Sequence, residues 1–349
     1  MLKPLGRTPN TPNDAALVSR RNFLQSGTGL FALACVPSDI LANQFPEPLK
    51  LVTRTSRALG TTVSVKALHP ATKIAEQALN KAFKELYHIE SILSIYRRNS
   101  QVSQLNRTGD LKNPDPILTD ILKQSIAWSE RSQGAFDITV QPLWALFQSC
   151  KKMDTLPKEN QIKATQSKVN WKQINLSLCE VQLKGQGTAI TLNGIAQGFA
   201  TDFLRKSLKD EGIEHALIDC GEIGTIGTNP KGKAWTAGIQ HPRRSDAFLA
   251  VTEIDDRCLS TSGDYATTFS KDYRSNHLFD PSTGQSPQEL SSVTILAPNA
   301  TDADALSTAV FIMGPDKGMK LIRQCPSTDA YMVLKGGTTL VTEGFPCLL

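Results

Sequence analysis

The sequence predicts a mixed α+β protein with one or two central β-sheets flanked by helices. Three observations carry this reading. Across residues 74–95, Ala75, Ala78, Leu79, Ala82, Phe83, Leu86, Ile89 and Leu93 recur at helical spacing, about six turns of amphipathic helix. From Trp235 onward, short β-prone runs alternate with turn residues. No regular βαβ rhythm and no GxGxxG occurs, which sets a Rossmann domain aside. With 349 residues, 40% hydrophobic and 20% charged, the chain can bury a large core and does not have a disordered composition. Its seven cysteines form no CxxC pair or Cys/His cluster, which excludes a zinc knuckle.

The N-terminus reads as a leader. Ser19-Arg20-Arg21-Asn22-Phe23-Leu24-Gln25 is a twin-arginine run followed by a weakly apolar stretch at 27–36, the pattern of a Tat export signal. That stretch is about half of the roughly 20 residues a transmembrane helix needs. Cleavage after Ala32-Leu33-Ala34 fits the small-x-small rule, and Cys35 directly behind it leaves a lipid anchor open. Residues 1–34 are thus a signal peptide addressed to the Tat translocase, 35–50 a tether, and the mature protein periplasmic. The leader carries Lys3, Arg7, Arg20 and Arg21 against Asp14, so most of the +5 formal charge leaves with it. Nothing in that balance suggests a nucleic-acid partner.

The remaining elements follow in order. Residues 62–65 alternate as a strand, and a second helix spans about 117–131, after Pro114 and Pro116. Residues 151–185 are polar and then strand-like. A strand-to-helix junction precedes a helix over 194–209, with Gly212 at its C-terminal end. Strands are expected at 216–218, 235–239, 248–254, 293–296 and 331–334, with a helix at 303–313 between the last two. Cys179 and Cys220 fall in apolar, strand-like runs and read as buried thiols.

Four segments carry chemistry. In Ala303-Asp304-Ala305-Leu306-Ser307-Thr308, Asp304, Ser307 and Thr308 lie at i, i+3 and i+4, so a helix presents their oxygens on one side. That set suits a hard cation such as Mg²⁺, or else is only a helix cap. Ser260-Thr261-Ser262-Gly263-Asp264-Tyr265 precedes Asn276-His277-Leu278-Phe279-Asp280-Pro281-Ser282-Thr283-Gly284, where His277 is either a general base or part of a turn. Gly194-Ile195-Ala196-Gln197-Gly198-Phe199 is a phosphate-binding helix start or an ordinary glycine turn. Gly134-Ala135-Phe136-Asp137, with Thr139, Pro142 and Leu143, holds a ring system or is a loop with a buried Phe.

Taken in order, these segments resemble the ApbE-type FAD:protein FMN transferases over nearly the whole chain after the leader. Leu59-Gly60-Thr61-Thr62 is similar to the family's MGT motif, and Ser94-Ile95-Tyr96-Arg97 through Ser103 and Asn106 to its S-x-Y stretch. Gly134–Asp137 matches GAFD, Gly194–Phe199 with Asp202 resembles GGIAKGYAVD, and Gly221-Glu222-Ile223 retains part of GGE/D-I. Ser260–Tyr265, His277–Gly284 and Ala303–Thr308 are similar to ATSGDY, HIIDPRTG and ADALAT. The resemblance implies an ApbE-like domain over 51–349 in two lobes. It also implies an enzyme that cleaves FAD with Mg²⁺, passes FMN to a Thr or Ser hydroxyl of an exported or membrane redox protein, and releases AMP. Asp304, Thr308, Ser307 and a backbone carbonyl near Gly194 would hold the metal, and His277 would take the acceptor's proton. Leu59, Tyr96, Arg97, Ala135, Phe136, Asp137, Thr191, Gln197 and Leu278 would contact FAD. Thr191 stands where the family has Asp, Gln197 where it has Lys, and Leu59 where it has Met. A pyrophosphatase giving FMN and AMP, or a periplasmic protein that only binds FAD, are the alternative readings.

Overall fold

The computed structural model describes residues 48–348. The leader, its cleavage site, Cys35 and the tether up to residue 47 lie outside the described residues. The chain enters through a hairpin of β1 (Lys50–Ala58) and β2 (Thr61–His69), with Ala58 opposite Thr61. The two-residue turn between them needs positive φ at both positions, and Leu59 (51°) and Gly60 (78°) adopt it. Helix α1 (Thr72–Leu93) buries Ala75, Leu79, Phe83 and Leu86, as its periodicity requires. Helix α2 (Gln101–Thr108) starts on the Ser100 hydroxyl and stops at Gly109, φ 74°. Then come β3 (Asp110–Lys112), α3 (Pro116–Arg131), capped by Asp115 with Pro in its first turn, α4 (Gln141–Lys151) and α5 (Glu159–Gln166). Strands β4 (Ile174–Leu176) and β5 (Glu180–Leu183) join β3 in a small sheet, and α6 (Ala196–Asp210) ends at Gly212, φ 78°. The chain continues through β6 (His215–Asp219), β7 (Ile223–Ile226), β8 (Trp235–His241), β9 (Arg244–Ile254), β10 (Cys258–Gly263) and β11 (Leu290–Ala297). Helix α7 (Ala300–Ile322), β12 (Asp329–Leu334) and β13 (Thr339–Val341) complete it.

Eight strands form one antiparallel sheet in the order β1-β2-β6-β7-β10-β11-β12-β13. Strand β11 is buried along its whole length because both faces are covered. Val293 and Ile295 share a core with Ala303, Leu306 and Val310 of α7. Leu296, with Leu259 and Tyr331, faces Ile239, Ala250 and Ile254 of the β8–β9 ribbon. The helix expected to end at 313 bends there: Gly314 (φ 77°, ψ 173°) breaks it before Pro315.

Several elements differ from expectation. Helices α2 and α5 were hidden by length, since each is eight residues and buries only one or two apolar side chains. Helix α4 buries Leu143, Phe147 and Cys150 at i, i+4 and i+7, in a stretch where no helix was expected. No strand leads into the Gly194 turn. The Asn106 amide instead bonds both backbone groups of Ile190 (2.8 and 2.7 Å), standing in for a neighbouring strand. Cys179 sits exposed in the turn between β4 and β5, whereas Cys220 is buried as expected. Burial pushes the Cys220 thiol up to about 12. The six described cysteines are all free.

Helices α6 and α7 meet at Gly198, where a Cβ would fall 2.2 Å from the Ala300 carbonyl oxygen and 2.7 Å from Asp304 Cβ. Neither obstacle is a flexible side-chain end. Gly198→Ala should therefore cost about 1–3 kcal/mol by overpacking. A calorimetric melting point equal to wild type would show that the crossing is looser than this.

Candidate active site

A cleft of about 900 Å³, mouth included, opens where α7, the start of α6, the end of β10 and the 264–289 segment converge. One wall is aromatic and aliphatic: Phe136, Ile138, Trp144, Leu278 and Ile312. Other lining residues bring oxygens: Asp304, Thr308, Ser262, Asn193 and Glu222.

Asp304 stands in the second turn of α7. The cap of that helix is Asn299, whose side chain accepts the Asp302 N–H, so Asp304 is not a capping residue. Its carboxylate is buried and accepts the Gly198 N–H at Oδ2 (3.0 Å). Burial lifts its pKa to about 7, with the Gly198 bond opposing. Glu222, also buried, is pushed well above the carboxylate range, first by desolvation and then by the Asp304 charge. One turn on, Thr308 Oγ1 lies 3.1 Å from Ser262 Oγ. Gly194 backs against Thr308, where a Cβ would sit 3.0 Å from the hydroxyl.

Two buried carboxyls that repel one another, ringed by hydroxyl and carbonyl oxygens, suit a hard divalent cation, which would relieve the repulsion. Among the described residues no cluster of three His, Cys, Asp or Glu forms a ligand set, so a cation here would take hydroxyl and carbonyl donors beside Asp304. Ser307 is the exception within its motif. It is fully buried behind the wall, donates to the Asp304 carbonyl (2.9 Å) and lies 2.7 Å from Ser262 Oγ. Neighbouring helical residues project about 100° apart, so Ser307 and Thr308 cannot both face the cleft squarely, and Ser262 takes the place expected of Ser307.

His277 lines the cleft and is half-buried. The Thr267 carbonyl receives the His277 backbone N–H (3.0 Å) and faces Nδ1 (3.3 Å). A carbonyl only accepts, so Nδ1 carries the proton and Nε2 is left as the ring's acceptor. Desolvation holds the imidazole below its usual value, opposed by the Thr267 carbonyl and the Asp264 charge. A neutral ring at neutral pH follows, which is what a proton acceptor needs.

Phe136, Asp137, Thr191, Gln197 and Leu278 line the cleft, together with Gly194. Asp137, however, spends its oxygens on the backbone. Oδ1 accepts the Thr139 N–H (2.7 Å) and hydroxyl (2.6 Å), and Oδ2 the Trp171 N–H (3.1 Å). It shapes the wall and has little left to offer a ligand. Gln197 lies under Gly221 (φ 99°) and donates weakly to the Leu59 carbonyl (3.5 Å). Leu59, Ala135, Tyr96 and Arg97 are not on the cleft wall. Tyr96 is 65% exposed and meets Trp144 edge-on (6.4 Å), so Trp144 holds the ring position nearer the cleft. Arg97 pairs with Glu90, which also accepts the Leu59 N–H (3.0 Å). Motif reading gave no role to Glu222, Ser262, Asn193 or Trp144. The first two sit inside matched motifs and Trp144 directly follows one, which was the available signal.

The fold is shared with solved flavin transferases, enzymes that move a flavin group. Residues 59–332 match the ApbE family model, and the chain belongs to the ApbE family. It is 30% identical over 302 residues to the FAD:protein FMN transferase of Klebsiella pneumoniae (strain 342), covering 83% of this chain and 84% of that one. Against the enzyme of the same name from Escherichia coli (strain K12) it is 31% identical over 266 residues, 72% of this chain and 75% of the other. The solved ApbE protein from Thermotoga maritima superposes with a TM-score of 0.74 at 30% identity, over 84% of this chain and 97% of that one. The apo form of the Pseudomonas stutzeri flavinyl transferase ApbE gives 0.73 at 27%, over 84% and 95%.

Proposed function

We propose that this chain is a Mg²⁺-dependent FAD:protein FMN transferase that works in the periplasm after Tat export. The single observation that carries the chemistry is the convergence of three features in one cleft. These are the oxygens of Asp304, Thr308 and Ser262, the uncharged His277, and apolar lining residues that can take a flavin ring. The acceptor's Thr or Ser hydroxyl attacks the FMN phosphorus of FAD. The bond from that phosphorus to the bridging oxygen breaks, and AMP leaves with the oxygen. His277 Nε2 takes the hydroxyl proton, while Phe136 and Trp144 orient the ring and exclude water. Asp304, Thr308 and the Gly194 carbonyl would hold Mg²⁺, whose charge offsets that building on the pyrophosphate. The twin-arginine run at Arg20 and Arg21 supports export, with a respiratory membrane protein as the acceptor class and Cys35 as a candidate lipid anchor.

The test is incubation of the mature protein with FAD, Mg²⁺ and an acceptor domain, followed by a denaturing gel. A covalently fluorescent acceptor is expected. Free FMN and AMP with an unlabelled acceptor would instead make it a pyrophosphatase, and intact FAD would reduce it to a binding protein. Gln197 contributes only a neutral amide to the cleft. Gln197→Lys should tighten FAD binding by roughly three- to tenfold, because an ammonium beside phosphate makes a charge-assisted bond. Flavin fluorescence titration measures this, and an unchanged Kd would place Gln197 away from the phosphates.

A further inference from the structure

Outside the cleft, a charge cluster is built on Asp264, which is fully buried. Arg243 grips its carboxylate with both terminal nitrogens (2.7 and 2.9 Å), already a complete bidentate pair. A second cation, Lys335 Nζ, also reaches Asp264 (2.6 Å). One carboxylate does not need two cations for stability, and the surplus charge has a second use: Lys335 Nζ donates to the Tyr273 carbonyl (2.8 Å). Tyr273 is held at φ 62°, its ring beneath the Arg243 guanidinium (4.1 Å). The same carbonyl accepts Asn276 Nδ2 (3.2 Å), and Asn276 Oδ1 accepts the Leu278 N–H (3.0 Å), so the bonds bracket His277. The Lys335 backbone N–H also donates to Glu289 at the far end of the segment (2.9 Å). None of Asp264, Arg243, Lys335 or Tyr273 lines the cleft.

We infer that the Asp264–Arg243–Lys335 cluster is a positioning device for His277. It clamps the 264–289 segment through the Tyr273 carbonyl so that the imidazole keeps one orientation against Thr267. The inference rests on the role of His277 in the proposed transfer. Asp264→Ala would leave two cations without their shared carboxylate and open a hole at a fully buried position, so the test uses Lys335, which is only partly buried. Lys335→Met should leave FAD Kd within about twofold and lower kcat for transfer by on the order of tenfold or more, since small misplacements of a reacting group are costly. Lys335→Arg, which keeps the charge and the donors, should recover most of the rate. In a His277→Ala background Lys335→Met should cost nothing further. An equal loss in both backgrounds would overturn the inference. Side-chain nitrogen NMR reads the same device without turnover: His277 should be a single Nδ1–H tautomer in the wild type and a mixture in Lys335→Met. An unchanged tautomer pattern would also overturn it. If the wild type transfers no FMN, the functional reading fails and the NMR result alone decides this one.

Discussion

Replacing Asp304 with asparagine should abolish FMN transfer, by about 10³-fold or more, and at the same time make the metal-free protein more stable. The first effect follows because the variant removes the carboxylate proposed to hold Mg²⁺, and charge neutralisation by a metal is worth several kcal/mol in phosphoryl transfer. The second follows from burial. The Asp304 pKa stands at about 7 in the folded chain against about 3.9 for a free side chain. Below both values the group is protonated in either state and costs nothing. As pH rises past the unfolded value, the unfolded chain ionises freely while the folded one cannot, so stability falls until pH reaches the folded value. Glu222, whose pKa Asp304 helps to raise, adds to the same slope. Metal-free wild type should thus gain stability as pH drops from 7 to 5, and Asp304→Asn should lose the Asp304 share of that dependence while the share of Glu222, raised chiefly by its own burial, remains. The variant's melting point at pH 8 should be several degrees higher, at roughly 2–4 °C per kcal/mol. Mg²⁺ should raise the wild-type melting point and leave the variant's unmoved. An equal response to Mg²⁺ in both would remove Asp304 from the metal site.

His277→Ala should lower transfer by roughly 10²–10⁴-fold, the range for losing a general base, while FAD affinity stays within about twofold. The pH profile separates a base from a packing residue. Burial keeps the imidazole below its ordinary value, so at saturating Mg²⁺ the wild-type rate should climb through a pH below about 6.5 and be flat from 7 to 8. The variant should lose that acidic limb. An intact limb in His277→Ala, or a fully active variant, would take His277 out of the chemistry.

How much of this was legible follows from the range of each signal. Asp304 and Thr308 are four residues apart on one helix, so their shared side is dictated by helical geometry wherever the helix lies. His277, Gly194 and Phe136 sit in short motifs whose turns are set by neighbouring residues. Ser307 was misplaced because spacing names a side of a helix but not which part of that side meets a cavity. Tyr96 and Arg97 were drawn inward by their motif, yet Tyr96 stays exposed beside Trp144 and Arg97 is taken by Glu90. Asp137 kept its expected place but serves the backbone. Cys179 looked buried because an apolar run says nothing of a turn that carries its centre to the surface.

The sequence by itself determined the class of fold, most of the longer helices and strands, and the residues able to supply oxygen ligands and a proton acceptor. All of these depend on contacts within a few residues. Only the tertiary structure decided that Glu222 stands beside Asp304, that Ser262 and not Ser307 faces the cleft, and that Arg243, Asp264 and Lys335 meet behind His277. Those residues come from separate strands and turns, and no local periodicity encodes which of them the sheet will bring together. The raised carboxyl and the lowered imidazole have the same origin, because only packing removes the water that would otherwise keep each near its ordinary pKa.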